Sequence, residues 1–198
     1  MANQQKKNRL LILGIFGMSI IPFLIAWGIR QNPEILTGRT NKGQLITPPV
    51  PTERNDLTGF DQFSADNMAE LFGHWLIVNV ITDTDCNDKC QEAIYKTRQL
   101  QLMMSKDLTR TRRIVLIFKE VDPEIADHWW PEDRFLLKVK PSDALVEKIT
   151  EIRQGAIPDG MLFLMDPLGN LMMQYESGFD PYKVKSDLTH LLRVSQIG

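Results

Sequence analysis

Hydrophobic positions follow three different rhythms along the chain. Between Arg9 and Arg30 they form a run, L-L-I-L-G-I-F-G-M-S-I-I-P-F-L-I-A-W-G-I, that contains no charged residue. A helix rises 1.5 Å per residue, so a run of this length covers about 30 Å, the hydrocarbon thickness of a bilayer. The pattern predicts a transmembrane helix over 10–29, preceded by a short N-terminal segment over 1–9. The run exceeds the usual apolar stretch of a cleaved signal peptide, and no A-x-A-like site follows it, which favours an uncleaved anchor. From 30 to 62 neither period 2 nor period 3.6 is sustained. Pro33, Pro48, Pro49 and Pro51 with Gly38, Gly43 and Gly59 predict an extended stalk there. The stretch T-N-K-G-Q-L-I-T-P-P-V-P within it reads either as a spacer or as an extended segment that docks on a partner or on the domain itself.

The third rhythm, over 63–198, alternates strand-like and helix-like segments. An entry helix is predicted at Ser64 to Phe72, then a buried strand H-W-L-I-V-N-V-I-T from His74. A helix starting near Asn87 carries Ala93, Thr97, Leu100 and Met104 on one face, and I-V-L-I-F at Ile114 to Phe118 is a second strand. Ser142 suits the cap of a helix with Leu145, Ile149 and Ile152 on one face. M-L-F-L-M and L-M-M-Q-Y then read as two strands joined by D-P-L-G, in which Asp166, Pro167 and Gly169 fit the successive needs of a tight turn. Asp180 and Pro181 open a last helix whose Val184, Leu188, Leu191 and Leu192 would face the sheet.

Composition narrows the function classes. The chain has 198 residues, 43% hydrophobic and 24% charged, which excludes a fibrous or low-complexity polymer. Lys6, Lys7, Arg9 and Arg30 are the charged residues of the first 30, so the remainder sets 19 basic residues against 25 acidic ones. An acidic body repels phosphate backbones, and the one basic cluster is Arg110, Arg112 and Arg113; nucleic acid is not an expected partner. The lipid bilayer is one, through residues 10–29. Basic residues crowd the N-terminal flank of the apolar run, which predicts a cytoplasmic N-terminus and an outward-facing C-terminal domain.

Two cysteines exclude a disulfide-stapled mini-fold and a four-cysteine zinc module. Cys86 and Cys90 stand one helical turn apart where a strand gives way to a helix. The unpaired N–H groups and positive dipole end of a helix favour thiolate there, and so favour disulfide exchange and metal ligation. As a purely structural staple the pair would contribute only about 2 kcal/mol, because the closed loop is so short. Functional thiols are the better account, and copper(I) is the metal best suited to two thiolates. Asp83 and Asp85 either tune these thiols or solvate the loop. His74 and His190 read as surface or packing residues. His128, in D-P-E-I-A-D-H-W-W-P-E-D, is the histidine that a loop folding over the cysteines could bring in as a ligand, and Trp129 and Trp130 beside it read as a partner contact or a hydrophobic plug.

This order of elements, with the cysteine pair between first strand and first helix, resembles the thioredoxin fold: an α/β domain with a central sheet and flanking helices, here preceded by one transmembrane helix. The strand running into C-N-D-K-C, with M-D-P-L-G-N far downstream, resembles the Sco family of membrane-anchored cytochrome c oxidase assembly proteins. Their motif is C-x-x-x-C, often C-P-D-x-C-P; Asp88 matches the central acid, while Asn87 and Gln91 replace both prolines. The tail D-P-L-G-N-L-M-M-Q-Y, G-F-D-P and L-L-R-V-S-Q-I-G is more similar still to a little-described Sco-like transmembrane protein of proteobacteria. The resemblance implies a bacterial inner-membrane protein with a periplasmic domain, partners among oxidase subunits or other assembly proteins, and work through Cys86 and Cys90. That work is thiol–disulfide redox of a client copper site, copper(I) delivery, or scaffolding without redox chemistry. Sco proteins complete their copper site with a histidine before the strand leading into D-P-x-G. Counting back from Asp166 places Pro158 or, with a two-residue gap, Gly160 there, and neither side chain can bind a metal. Pro158 also invites comparison with the cis-proline that faces the disulfide of thioredoxin-like oxidoreductases, against an ordinary trans-proline at a strand start.

Overall fold

The computed structural model describes residues 2–31, 41–133 and 135–195. The chain divides into two units, one up to Thr40 and one from Asn41 onward. The first contains α1 (Ala2–Gln31), and Gln5–Gln31 within it is long and apolar enough to cross a membrane. The part of the expected stalk over 32–40 lies outside the described residues.

The second unit is a seven-stranded mixed sheet in the order β1-β7-β6-β3-β4-β5-β2. Its strands are β1 (Gln44–Pro51), β2 (Leu57–Gly59), β3 (Trp75–Ile81), β4 (Thr111–Ile117), β5 (Leu137–Pro141), β6 (Leu162–Met165) and β7 (Asn170–Tyr175). Around them lie α2 (Gln62–Asp66), α3 (Asp88–Met103), α4 (Pro123–Trp129), α5 (Asp143–Arg153) and α6 (Pro181–Val194). β3, β4 and β5 run parallel, and β6, β7, β1 and β2 add antiparallel pairs. Every residue of β3 is buried, as a central strand covered on both faces requires. Its period-2 alternation sends Leu76, Val78 and Val80 to the layer shared with α5, and Trp75 and Ile77 to the layer shared with α3 and α6.

Local chemistry fixes the element ends as the sequence pattern indicates. Asn87, Ser142 and Asp180 cap α3, α5 and α6 with their side chains, and Pro181 occupies the first turn of α6. Asp166 accepts the N–H groups of Leu168 and Asn170 and closes the β6–β7 turn. The entry helix is shorter than expected: Asp61 caps α2 and a 3-10 turn over Met68–Leu71 follows. His74 stays outside β3, and β4 begins three residues before Ile114.

The largest departure concerns the stalk. Residues 44–51 and 57–59, expected to be extended spacer, are sheet strands of the folded unit. β1 pairs with β7 at Gln44, Leu45, Val50 and Pro51, with its register shifted in between, where Pro48 and Pro49 have no N–H to offer. Proline confines this strand to the sheet edge and blunts that edge against further pairing. The strand is tied down at its start by Asp187 of α6, whose carboxylate accepts the Lys42 and Gly43 N–H groups and the Tyr175 hydroxyl. Gly43 is required there, because a Cβ would lie 2.5 Å from the Tyr175 ring. Burial, and then the neighbouring Asp187 carboxylate, raise the Tyr175 pKa, so the phenol stays a hydrogen-bond donor.

Candidate functional site

β3 ends at Ile81 in the sheet centre, and a six-residue turn carries the chain to α3. Cys86 lies in that turn and Cys90 in the first turn of the helix; they are joined as a disulfide, with residue exposures of 2% and 1%. Asn87 begins α3 because its Oδ1 accepts the N–H groups of Lys89 and Cys90, satisfying two donors that a helix start leaves open. The Gln91 side chain donates to the Cys86 carbonyl and fixes the other flank of the motif. The two positions at which prolines are usual in the Sco motif are therefore occupied by amides that bond the local backbone.

A second cluster buries the disulfide: Ile81, Ile94, Val115, Ile117 and Leu136, with the half-buried Phe60, Val121, Trp129 and Trp130 packed against it. The D-H-W-W segment packs against the cluster that holds the cysteines through its tryptophans, which meet edge to face at 5.4 Å. His128 sits on α4 with an exposed side chain whose Nδ1 bonds the Glu124 carbonyl at 2.6 Å. Among the described residues no three His, Cys, Asp or Glu side chains group as a metal site, so His128 is not brought together with Cys86 and Cys90. His74 is held at its own turn by the Phe72 carbonyl.

The chain just beyond Trp130 is tied to the sheet by Arg113. Its guanidinium donates to the Ile94 carbonyl of α3, to the Thr97 hydroxyl and, at 2.7 Å, to Asp133, three residues beyond Trp130. Both partners are buried, with side-chain exposures of 1% and 8%. Burial lowers the Arg113 pKa, and Asp133 opposes the shift. The basic trio noticed in the sequence is thus spent internally: Arg112 pairs with Glu70, and Arg110 donates to the Leu192 carbonyl.

The loop before β6 meets the cysteine turn. The Ile157–Pro158 bond is trans, and the cis bond among the described residues is Thr47–Pro48, so the cis-proline comparison is corrected at Pro158. Asp159, which sequence reasoning passed over, is the residue of this loop that contacts the turn: it accepts from Thr82 and from Asn87. The I-P-D-G string was the available signal, since Asp-Gly before a strand marks a turn, but its partners are 77 and 72 residues away. Gly160 has φ +75° and a Cβ added there would lie 2.6 Å from the Lys89 carbonyl, so this position has no room for a ligating side chain. The donors at the pair are two soft sulfurs, which suit copper(I) once the bond is reduced; among the described residues no third His, Cys, Asp or Glu joins them. Of the two acids ahead of Cys86, Asp83 pairs with Lys119 at 3.3 Å. The Thr84 N–H, followed by Lys119, lowers the Asp83 pKa.

The model of the family described as transmembrane-like, thioredoxin-like, C-terminal domain matches residues 75–195. Among solved structures, apo Sco1 from Thermus thermophilus superposes with a TM-score of 0.55 at 16% identity, over 78% of this chain and 99% of that one. Copper-bound yeast Sco1 gives 0.50 at 13% identity, over 63% and 82%. A further structure of yeast Sco1 gives 0.51 at 13% identity, over 64% and 84%. At such identities the likeness shows the thioredoxin-like fold. No curated protein matches the chain.

Proposed function

Since the chain belongs to the family described as transmembrane-like, thioredoxin-like, C-terminal domain, we propose that it is an inner-membrane-anchored, periplasm-facing assembly factor for respiratory cytochrome c oxidase, working by thiol–disulfide exchange. The observation that carries this reading is the Cys86–Cys90 disulfide seated at the first turn of α3, where Asn87 and the helix start hold the backbone N–H groups around Cys90. In the forward step a thiolate of the reduced pair attacks a disulfide of the client and forms a mixed disulfide. The second thiol then resolves it. Two electrons and two protons pass to the client, whose copper-binding cysteines leave as thiols, and the Cys86–Cys90 bond is re-formed. With Cys86 and Cys90 exposed by only 2% and 1%, the residues packed around them must part for a client sulfur to reach the pair, which makes the reaction depend on docking. Residues 10–29 of α1 anchor the domain, and Lys6, Lys7 and Arg9 keep the N-terminus cytoplasmic. Copper(I) transfer is the second reading, supported by the two soft sulfurs themselves.

Thiol titration of the full-length chain in detergent, with and without copper(I), separates the mechanisms. Redox work predicts two thiols that appear on reduction and exchange with glutathione as a pair, whereas Cys86→Ser or Cys90→Ser should each leave one thiol that titrates without reduction. Protection of both thiols by one copper(I) supports carriage, with His128→Ala unchanged. A pair that neither exchanges nor binds copper(I) overturns both readings and leaves a scaffold.

A further inference from the structure

One carboxylate spans the turn that carries the cysteines. Asp159 Oδ1 accepts the Thr82 N–H and the Thr82 hydroxyl, each at 2.7 Å, and Oδ2 accepts from Asn87 Nδ2 at 2.9 Å. Thr82 immediately follows β3 and Asn87 immediately precedes α3, so the two ends of the turn are clamped to the same side chain. Asn87 relays the clamp onward, since its Oδ1 accepts the Cys90 N–H at 3.1 Å. Gly160, next in sequence, rests against the Lys89 carbonyl with no space for a Cβ, which fixes the loop's backbone against the first turn of the helix.

Building on the redox reading, we infer that Asp159 is a positioning residue that biases the Cys86–Cys90 pair toward the disulfide. Two effects act in the same direction. The clamp holds positions 82 and 87 in place, so the reduced turn gains less conformational freedom when the bond opens. The negative charge of Asp159, bonded to the cap residue, offsets the positive end of α3 that would otherwise favour a thiolate in the reduced form. Asparagine at this position keeps the size and an oxygen for the Thr82 N–H, but turns an amide donor toward the Asn87 amide and breaks the relay.

The test follows the balanced exchange of one protein disulfide and two glutathione thiols for one protein dithiol and one glutathione disulfide. The full-length chain in detergent is equilibrated in glutathione buffers, and its free thiols are counted by alkylation. Asp159→Asn is expected to raise the equilibrium constant for reduction by roughly three- to tenfold. Asn87→Ser keeps a good cap oxygen but removes the amide that Asp159 accepts from, and should shift the equilibrium in the same direction. The double variant should shift no further than the larger single change, because both break one bond. If Asp159→Asn fails to fold, Asn87→Ser decides alone. An unchanged equilibrium in a pair that still exchanges overturns this inference and leaves the redox reading standing. A wild-type pair that does not exchange overturns the redox reading, and the inference with it.

Discussion

Asp187 and Asp159 are the same device used in two places. Each collects hydrogen bonds from three donor groups: Asp187 from Lys42, Gly43 and Tyr175, Asp159 from the Thr82 N–H, the Thr82 hydroxyl and Asn87. The difference is burial. Asp187 is 5% exposed beneath the start of β1, whereas Asp159 is half-buried beside the exposed segment Asp83 to Asp85. Around Asp187 the bond from the Tyr175 hydroxyl is fully buried, and its loss would leave a donor without water, so the carboxylate secures the sheet edge. Around Asp159 water can replace a lost partner, so the same bonds cost little stability and are free to tune the turn that bears the disulfide. Solvent access, more than the number of bonds, decides whether an aspartate acts as an anchor or as an adjuster.

If burial is what sets the scale, the most enclosed pair should cost most to break. Asp133→Ala leaves Arg113 charged and unpaired under α3 and is expected to destabilise the domain by about 3–5 kcal/mol, read from chemical denaturation. It should also speed alkylation of the reduced cysteines, since Asp133 pins the loop behind Trp130. Asp187→Ala comes next, at about 1–3 kcal/mol, chiefly for the buried Tyr175 hydroxyl left without its acceptor. Its glutathione equilibrium should match the wild type; a shift equal to that of Asp159→Asn would erase the distinction between the two aspartates.

The smallest effect is a pH dependence. At Asp56, burial raises the pKa, but the Glu53 N–H, the Ser142 hydroxyl and Lys148 outweigh it, and the net shift is below the ordinary 3.8. At Asp61 burial likewise raises it, and bonds from Ser64 and Lys138 more than reverse the effect. Both folded-state values lie below the unfolded ones, so the stability they contribute is fully present above the ordinary carboxylate range. It is lost as pH falls through that range toward the lower folded values. Denaturation midpoints followed from neutral to acid pH should decline there, and Asp56→Asn with Asp61→Asn should flatten the decline.

The strands β3, β4, β6 and β7 and the starts of α3, α5 and α6 were legible in the sequence, because each is written locally. An apolar run of strand length, an Asn, Ser or Asp before a helical period, and an Asp-Pro-x-Gly turn are short-range signals whose physics is complete within a few residues. Cys86 and Cys90 were legible for the same reason: their spacing and the capping Asn87 are neighbours in the chain. β1, β2 and Asp159 were not. A proline-rich edge strand has no periodicity of its own, and its pairing partner lies more than 100 residues downstream in β7. Which side chain of the D-H-W-W segment would turn toward the cysteine cluster was open for a related reason: the structure packs Trp129 and Trp130 against it and leaves His128 exposed.

By itself, then, the sequence determined an apolar helix, a βαβ core with a C-terminal hairpin and helix, and a thiol pair at a helix start. Only the tertiary structure decided that residues 44–51 and 57–59 of the stalk form the two edge strands of the sheet, that the tryptophans pack on the cluster holding the disulfide, and that Asp159 clamps its turn. Those outcomes rest on contacts between residues far apart in sequence. Their free energy arises only when folding removes both partners from water at once.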